Sequence, residues 1–311
     1  MSDPVPEDRP LLALTGGTGF VGQAVLDAAI AAGYEVLALT RRPQAPRRHV
    51  RWIGGDLFDT ASLCELTRGV EATIHVAGVV NAADLAGFEA GNVNGTLNLI
   101  ETVVAKGIPR FVHVSSLSAR EPELSAYGAS KARAEKLVRA SPLDWTIVRP
   151  PAIYGPRDRE MFELFRAAKW GVIPTPASGR ASMIHVEDLA RLLVTLVPGG
   201  EAVTGCTFEP DDGKRDGWDH YELARAIGWA MGRRPKVLGL SKAALERVAK
   251  IDRFFRGTKA KMTPDRAAYF SHPDWVVGTD GRIPAALWQP RIETREGLKA
   301  TARWYRENKW L

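Results

Sequence analysis

Only two cysteines, Cys64 and Cys206, occur in the 311 residues. They are too few and too far apart for a disulfide framework or a cysteine-ligated metal site, so both read as small buried side chains and no metal is expected. No uninterrupted apolar stretch approaches the roughly 20 residues of a membrane-spanning helix. Met1 to Pro10 is acidic and proline-rich where a targeting segment would be basic and then apolar. A cytoplasmic protein with an unstructured start is the expectation. Neither sign of charge dominates: 42 Lys and Arg against 36 Asp and Glu leave a formal +6. That balance suits nucleic acid, membrane surfaces or anionic small molecules without choosing among them. The arginines are scattered and no nucleic-acid module is present, which argues against a nucleic-acid partner. Internal repeats and low-complexity tracts are missing too. A chain of this length buries a full core and is long for one compact unit.

What is present begins with Leu11-Leu12-Ala13-Leu14-Thr15-Gly16-Gly17-Thr18-Gly19-Phe20-Val21-Gly22. A short apolar run, glycines spaced three apart and an alanine-rich helical pattern over Gln23 to Ala32 read as strand, tight turn and helix. Glycine lets the backbone turn sharply and approach a diphosphate, and the amides and dipole of the next helix meet its negative charge. Gly16, Thr18, Gly19, Phe20, Val21 and Gly22 are therefore candidate contacts to a dinucleotide.

Strand-like and helix-like segments then alternate. Strands are expected at Leu11 to Thr15, Glu35 to Thr40, near Val50 to Ile53, at Ala72 to Val76, Arg110 to Ser115 and Trp145 to Arg149. Helices are expected from Val21, over about Thr96 to Ala105, and over about Ala129 to Ala140. The alternation predicts an α/β fold, a doubly wound parallel sheet of the Rossmann kind. Beyond Pro150 the texture changes: prolines interrupt the chain, a strand near Cys206 to Glu209 returns to the sheet, and helices follow around His220 to Met231, Ser241 to Phe255 and Glu296 to Asn308. The expected division is a dinucleotide-binding domain over 11–155 and a smaller, mainly helical substrate-binding region over 156–311, with short segments returning to the sheet.

At the end of the second strand, beside the adenosine ribose in such folds, an acidic residue would accept from the 2′-hydroxyl. Here the chain reads Thr40-Arg41-Arg42. A guanidinium binds a 2′-phosphate, so NADP is favoured over NAD, with Arg41 as its partner; a solvated basic loop with Arg47 and Arg48 is the other reading. Asp56, followed by Leu57, sits where the adenine amino group would donate. Ala77 and Gly78 end the fourth strand with small residues that let backbone come close to the cofactor.

Tyr127-Gly128-Ala129-Ser130-Lys131 places a phenol and an ammonium at i and i+4 on one helix face. Nearby positive charge favours phenolate and would pull the tyrosine pKa down toward neutrality. The pair follows a strand ending Val114-Ser115-Ser116, which puts a hydroxyl at the carboxyl edge of the sheet, where ligands bind.

With these motifs in place the chain resembles the short-chain dehydrogenase/reductase superfamily, and specifically its extended branch, often called the NAD-dependent epimerase/dehydratase family. The carriers are Thr15 to Gly22, Asp56-Leu57, Ala77-Gly78, Asn92 to Thr96, Val114 to Ser116, Tyr127 to Lys131, Arg149 to Pro156 and Ile184 to Ala190, and the ending Thr301 to Arg306 is similar to the closing helix of many members. The resemblance implies Tyr127 as acid/base, Lys131 lowering its pKa and holding the nicotinamide ribose, Ser116 binding the substrate oxygen, and Pro150 and Ile153 near the nicotinamide. His185 and Asp188 look like landmarks that link the two layers. The chain departs from the family pattern in its short segment between Ser116 and Tyr127 and in its arginine pair, which favours an exchangeable NADPH. Arg180 stands roughly where sugar-nucleotide enzymes carry a diphosphate-binding arginine.

The leading expectation is an NADP-dependent oxidoreductase acting on a carbonyl or secondary alcohol of a small-molecule substrate. A nucleotide-sugar epimerase or dehydratase and a non-catalytic NADP-binding sensor or assembly protein are the alternatives. The oligomeric state is open, a homodimer included. Over Ser241 to Lys261, Leu245, Val248, Ile251 and Phe255 form an apolar stripe beside many Lys and Arg. That stripe either packs on the core or touches an anionic membrane.

Overall fold

The computed structural model describes residues 9–82, 84–257, 260 and 262–311. Most of the acidic start, and Lys259 and Lys261 of the basic stretch, lie outside the described residues. Six strands form in the first half: β1 (Leu11–Thr15), β2 (Glu35–Thr40), β3 (Val50–Gly54), β4 (Ala72–His75), β5 (Arg110–Val114) and β6 (Asp144–Val148). Between them run α1 (Phe20–Ala31), α2 (Thr60–Leu66), α3 (Leu85–Phe88), α4 (Gly95–Ala105) and α5 (Ala126–Ala140). The apolar residues of the strands serve both faces of the sheet, as parallel strands require. Leu12 and Leu14 pack with Val25, Leu26 and Ala29 of α1, while Ala13 between them joins Leu37, Leu99, Val103 and Phe111 on the other side. Each fully buried leucine contributes about 1.5–3 kcal/mol.

The later elements are β7 (Ala152–Tyr154), α6 (Phe162–Lys169), β8 (Val172–Pro176), β9 (Arg180–Ala181), β10 (Met183–His185), α7 (Val186–Thr195), β11 (Cys206–Phe208), β12 (Trp218–Asp219), α8 (His220–Ala230), β13 (Lys236–Leu240), α9 (Lys242–Arg256), α10 (Pro264–Phe270), β14 (Asp274–Trp275) and α11 (Thr294–Glu307). Strand β11 joins β6 in parallel and completes a seven-stranded sheet ordered β11-β6-β5-β4-β1-β2-β3. The order reverses between β1 and β4, which opens a crevice at their carboxyl ends. Helix α7 lays Leu189, Leu192 and Leu193 on the same face as α1. A separate apolar cluster, built on Tyr154, Phe165, Met183, Ile227, Leu298 and Tyr305, holds α6, α8 and α11 together.

Two local expectations need correction. Helix α5 starts at Ala126, three residues before the expected start, because the Ser125 hydroxyl accepts from the Gly128 amide and caps it. Cys64 and Cys206 are half-buried rather than buried, and neither forms a disulfide.

Candidate active site

The loop after β1 is fixed by backbone geometry. Gly16 has φ +75°, and a Cβ there would lie 2.7 Å from the Ala77 nitrogen; at Gly22 it would lie 2.0 Å from the Gly16 carbonyl oxygen. Only glycine permits the loop, the loop after β4 and the first turn of α1 to meet this closely. Gly19 occupies the N-cap and has no side chain to cap the helix, so the Phe20 and Val21 amides at its start are not taken by a capping group. Thr18 and Gly19 are exposed on the rim. An uncapped helix start over a cradle that a Cβ would fill fits a dinucleotide diphosphate.

The β4 end is held from below. The Thr15 hydroxyl meets His75 Nδ1 at 2.7 Å and accepts from the Ala77 amide, and His75 Nε2 meets the Thr96 hydroxyl at 2.9 Å. Burial, with the Lys131 charge adding to it, lowers the His75 pKa to about 3, so the imidazole is neutral. Asn92, which in the sequence marks a family motif without a stated role, clamps the next loop: its side chain accepts from the Val79 amide at 2.6 Å and donates to the Val79 carbonyl and the Ser130 hydroxyl. Gly78 is exposed, and a Cβ on it would sit 3.7 Å from Lys131 Nζ.

Arg41 and Arg42 are exposed just past β2, where the Thr40 hydroxyl donates to the Arg42 carbonyl and closes the turn. Arg47 is committed elsewhere, to Asp27 at 2.5 Å and to Gln23. Arg41 makes no hydrogen bond or ion pair among the described residues. The Asp56 carboxylate accepts from the Phe58 amide at 2.8 Å, and the Leu57 carbonyl accepts from Asn98.

At the carboxyl end of β5, Ser116 is buried and its hydroxyl oxygen accepts from the Ser118 amide at 3.2 Å and the Ser118 hydroxyl at 2.9 Å. Its own proton is thereby left to donate. Tyr127 is half-buried in the first turn of α5, its ring 6.1 Å from that of Phe88. Burial pushes the phenol pKa up, and a hydrogen bond from Ser116 opposes this. The expected lowering by Lys131 is not found in this arrangement. The Lys131 ammonium, one turn on, is buried and donates to the Val114 carbonyl at 2.8 Å. Burial brings its own pKa down to about 8 against the raising effect of Glu135. Glu135 is itself buried and accepts from the Ser115 hydroxyl at 2.6 Å and from Arg149 at 2.8 and 2.7 Å. This ties α5 to the end of β6. Pro150 follows directly, and its carbonyl accepts from the Leu117 amide at 2.9 Å; Ile153 lies in β7 opposite Ile184.

The site's remaining wall comes from the far end of the chain. Leu117, Trp275 and Val277 form a buried cluster with Leu124, Ala181 and Tyr269. Asp265 at the start of α10 accepts from the Ala126 amide at 2.5 Å, which docks that segment on the turn bearing Tyr127. No periodic signal in the sequence marks these residues. His185 and Asp188 are structural: His185 caps α7, and the Asp188 carboxylate accepts from the Arg291 and Ile292 amides. Arg180 donates to the carbonyls of Asp216 and Gly217 at 2.5 and 3.4 Å. Among the described residues no helix is long and apolar enough to cross a membrane.

A switch-point crevice, a glycine cradle and a Ser, Tyr and Lys group at one sheet edge define a dinucleotide-dependent enzyme. The model of the NAD dependent epimerase/dehydratase family matches residues 12–205, and the chain belongs to that family. Its members and relatives are NAD(P)-dependent oxidoreductases, epimerases and dehydratases, and this chain is an enzyme of that kind. It is 37% identical to a ceramide reductase of Caulobacter vibrioides over 97% of this chain and 96% of that protein. It is 31% identical to a 2-alkyl-3-oxoalkanoate reductase of Stenotrophomonas maltophilia over 48% and 52% of the two chains. The fold is shared with MoeE5 in complex with UDP-glucuronic acid and NAD, at a TM-score of 0.76, 22% identity and coverage of 96% and 99%.

Proposed function

We propose that this enzyme is an NADPH-dependent reductase of a ketone carried on a long-chain, ceramide-like lipid. The observation that carries this reading is the wall beside Ser116 and Tyr127. Leu117, Trp275 and Val277 are packed together there with the partly buried Leu124 and Tyr269, which makes the surroundings of Ser116 and Tyr127 apolar and aromatic, as suits hydrocarbon. Arg180 is spent on backbone carbonyls rather than presented to a diphosphate. Two reductases of lipid-like substrates among the relatives point the same way.

Residues 11–155 hold the dinucleotide and 156–311 shape the substrate side. Gly16, Thr18, Gly19, Phe20, Val21 and Gly22 cradle the diphosphate. Arg41 pairs with the 2′-phosphate, Asp56 and Leu57 bound the adenine, and Ala77, Gly78, Pro150 and Ile153 line the nicotinamide side. NADPH, when bound, supplies a hydride. Ser116 donates a hydrogen bond from its hydroxyl to the substrate carbonyl oxygen. The Tyr127 hydroxyl, kept protonated by burial, transfers its proton to that oxygen as the carbonyl carbon is reduced. Lys131 holds the ribose.

The test is loss of NADPH absorbance with a 3-oxoceramide in mixed micelles, set against interconversion of UDP-glucose. Stoichiometric NADPH consumption with the lipid ketone is expected. Conversion of the nucleotide sugar without net change in NADPH would overturn the reading.

A further inference from the structure

Most of the stripe on α9 does not pack on the core. Only Leu245 and Ala249 are buried, against Leu240, Met262 and Ala267. Val248, Ile251 and Phe255, at i, i+3 and i+7, are 42%, 57% and 78% exposed, and Phe254 beside them is 84% exposed. The two phenylalanine rings meet edge to face at 5.3 Å, at the surface of the molecule. The same helix carries Lys242, Arg247, Lys250, Arg253 and Arg256 against Glu246 and Asp252. Asp252 is turned toward the fold, accepting from the Met262 amide at 2.9 Å and pairing with Arg256 at 3.2 Å. Arg247, Lys250 and Arg253 are all exposed, so the outward charge is positive.

An apolar strip flanked by Arg and Lys is complementary to an anionic lipid surface, with the rings below the headgroups and the cations among them. A second copy of the same face would bring like charge against like charge. The position of α9 adds a second reason. Its partner α10 docks through Asp265 on the turn that carries Tyr127, and the Ala260 carbonyl between the two helices accepts from Asn81 at 3.5 Å. Next to Asn81, Val80 and Leu85 are 60% and 67% exposed. Exposed apolar residues thus stand both on the helix and on the loop that borders the site.

We propose that α9 seats the enzyme on an anionic bilayer, with Phe254 and Phe255 in the interface and Arg247, Lys250 and Arg253 on the headgroups. The mouth near Val80 and Leu85 is then placed to take an acyl chain from the leaflet. That delivery rests on the lipid-ketone reading; the docking does not.

The test is sedimentation of the full chain with vesicles of phosphatidylcholine alone and of phosphatidylcholine mixed with phosphatidylglycerol, without cofactor or substrate. Binding is expected only with phosphatidylglycerol, weakening with salt. It should fall about tenfold or more in the F254S/F255S variant and in the R247E/K250E variant. NADPH titration should give wild-type affinity for both, which shows that they fold. Wild-type protein that stays in the supernatant with both vesicles, or variants that bind as the wild type does, would overturn the proposal. So would a solution dimer that F254S/F255S dissociates with no vesicle binding. Vesicle binding without turnover of lipid ketones would leave the docking standing and refute the substrate reading alone.

Discussion

Replacing Lys131 by methionine is expected to abolish turnover and yet stabilise the protein near neutral pH. Burial moves the lysine from 10.5 to about 8, so folding gives up about 3 kcal/mol near pH 7 to keep the ammonium in place, at roughly 1.4 kcal/mol per pKa unit. Methionine fills much the same space without a charge. It also loses the hydrogen bond to the Val114 carbonyl, a contact of about 1.5–3 kcal/mol for a charged donor. The net gain is therefore small, on the order of 1 kcal/mol. The cost of the buried charge can be read from the pH dependence. Between about 8 and 10.5 the folded lysine has lost its proton and the unfolded one has kept it. There the unfolded state binds more protons, and wild-type stability rises with pH. Relative to the variant, which has no titrating group at this position, the wild type should gain roughly 2 kcal/mol between about pH 7 and pH 10. Urea unfolding of both proteins at the two pH values measures this. A wild-type-minus-variant difference that does not change with pH would show that Lys131 is not a buried ammonium of depressed pKa.

The sheet was legible because each of its first six strands is an apolar run separated from the next by a turn or a helical pattern, and Cys206 to Glu209 has the same texture. The short pairings were not. Strand β8 contains Pro174 and Pro176, which read as breaks, yet it pairs with β13 over five residues, and β9, β12 and β14 have two residues each. Such pairings are set by tertiary packing and leave no period in the chain. In the site, the glycine spacing and the Tyr and Lys at i and i+4 were readable because the chemistry needs those residues close in sequence. Glu135 was not: four residues from Arg139, it looks like a solvated helical pair, and only the fold shows it buried against Arg149. Trp275 and Tyr269 reach Leu117 from some 150 residues away, a distance over which local pattern is silent. The α9 stripe was visible, but which of its residues face outward depends on where α10 packs.

Tyr127→Phe keeps the ring and removes the proton, so turnover should fall by about 10²–10⁴ with NADPH affinity unchanged by fluorescence titration; equal rates would sink the acid/base assignment. Arg41→Asp should weaken NADPH binding by roughly 10–100-fold, the worth of one charge-assisted contact, and leave NADH the tighter ligand, whereas equal affinities of the wild type for the two cofactors would favour the solvated-loop reading. Gly22→Ala probes the cradle itself. The added carbon would lie 2.0 Å from the Gly16 oxygen, 2.7 Å from the Gly16 carbonyl carbon and 2.8 Å from Gly17 Cα, all backbone atoms with no rotamer to yield. Helix α1 cannot retreat, since Val25, Leu26 and Ala29 are fully buried between the sheet and α7, so the loop must open. Overpacking of this kind costs about 1–3 kcal/mol, and because the displaced loop is the one that holds the diphosphate, NADPH affinity should drop by roughly 10–100-fold. Gly278→Ala is the control: a Cβ there would meet nothing within 4 Å and the residue is no part of the cradle, so both thermal stability and NADPH binding should stay near wild type. A Gly22→Ala protein that binds NADPH as tightly as the Gly278→Ala control would mean that the cradle does not hold the dinucleotide.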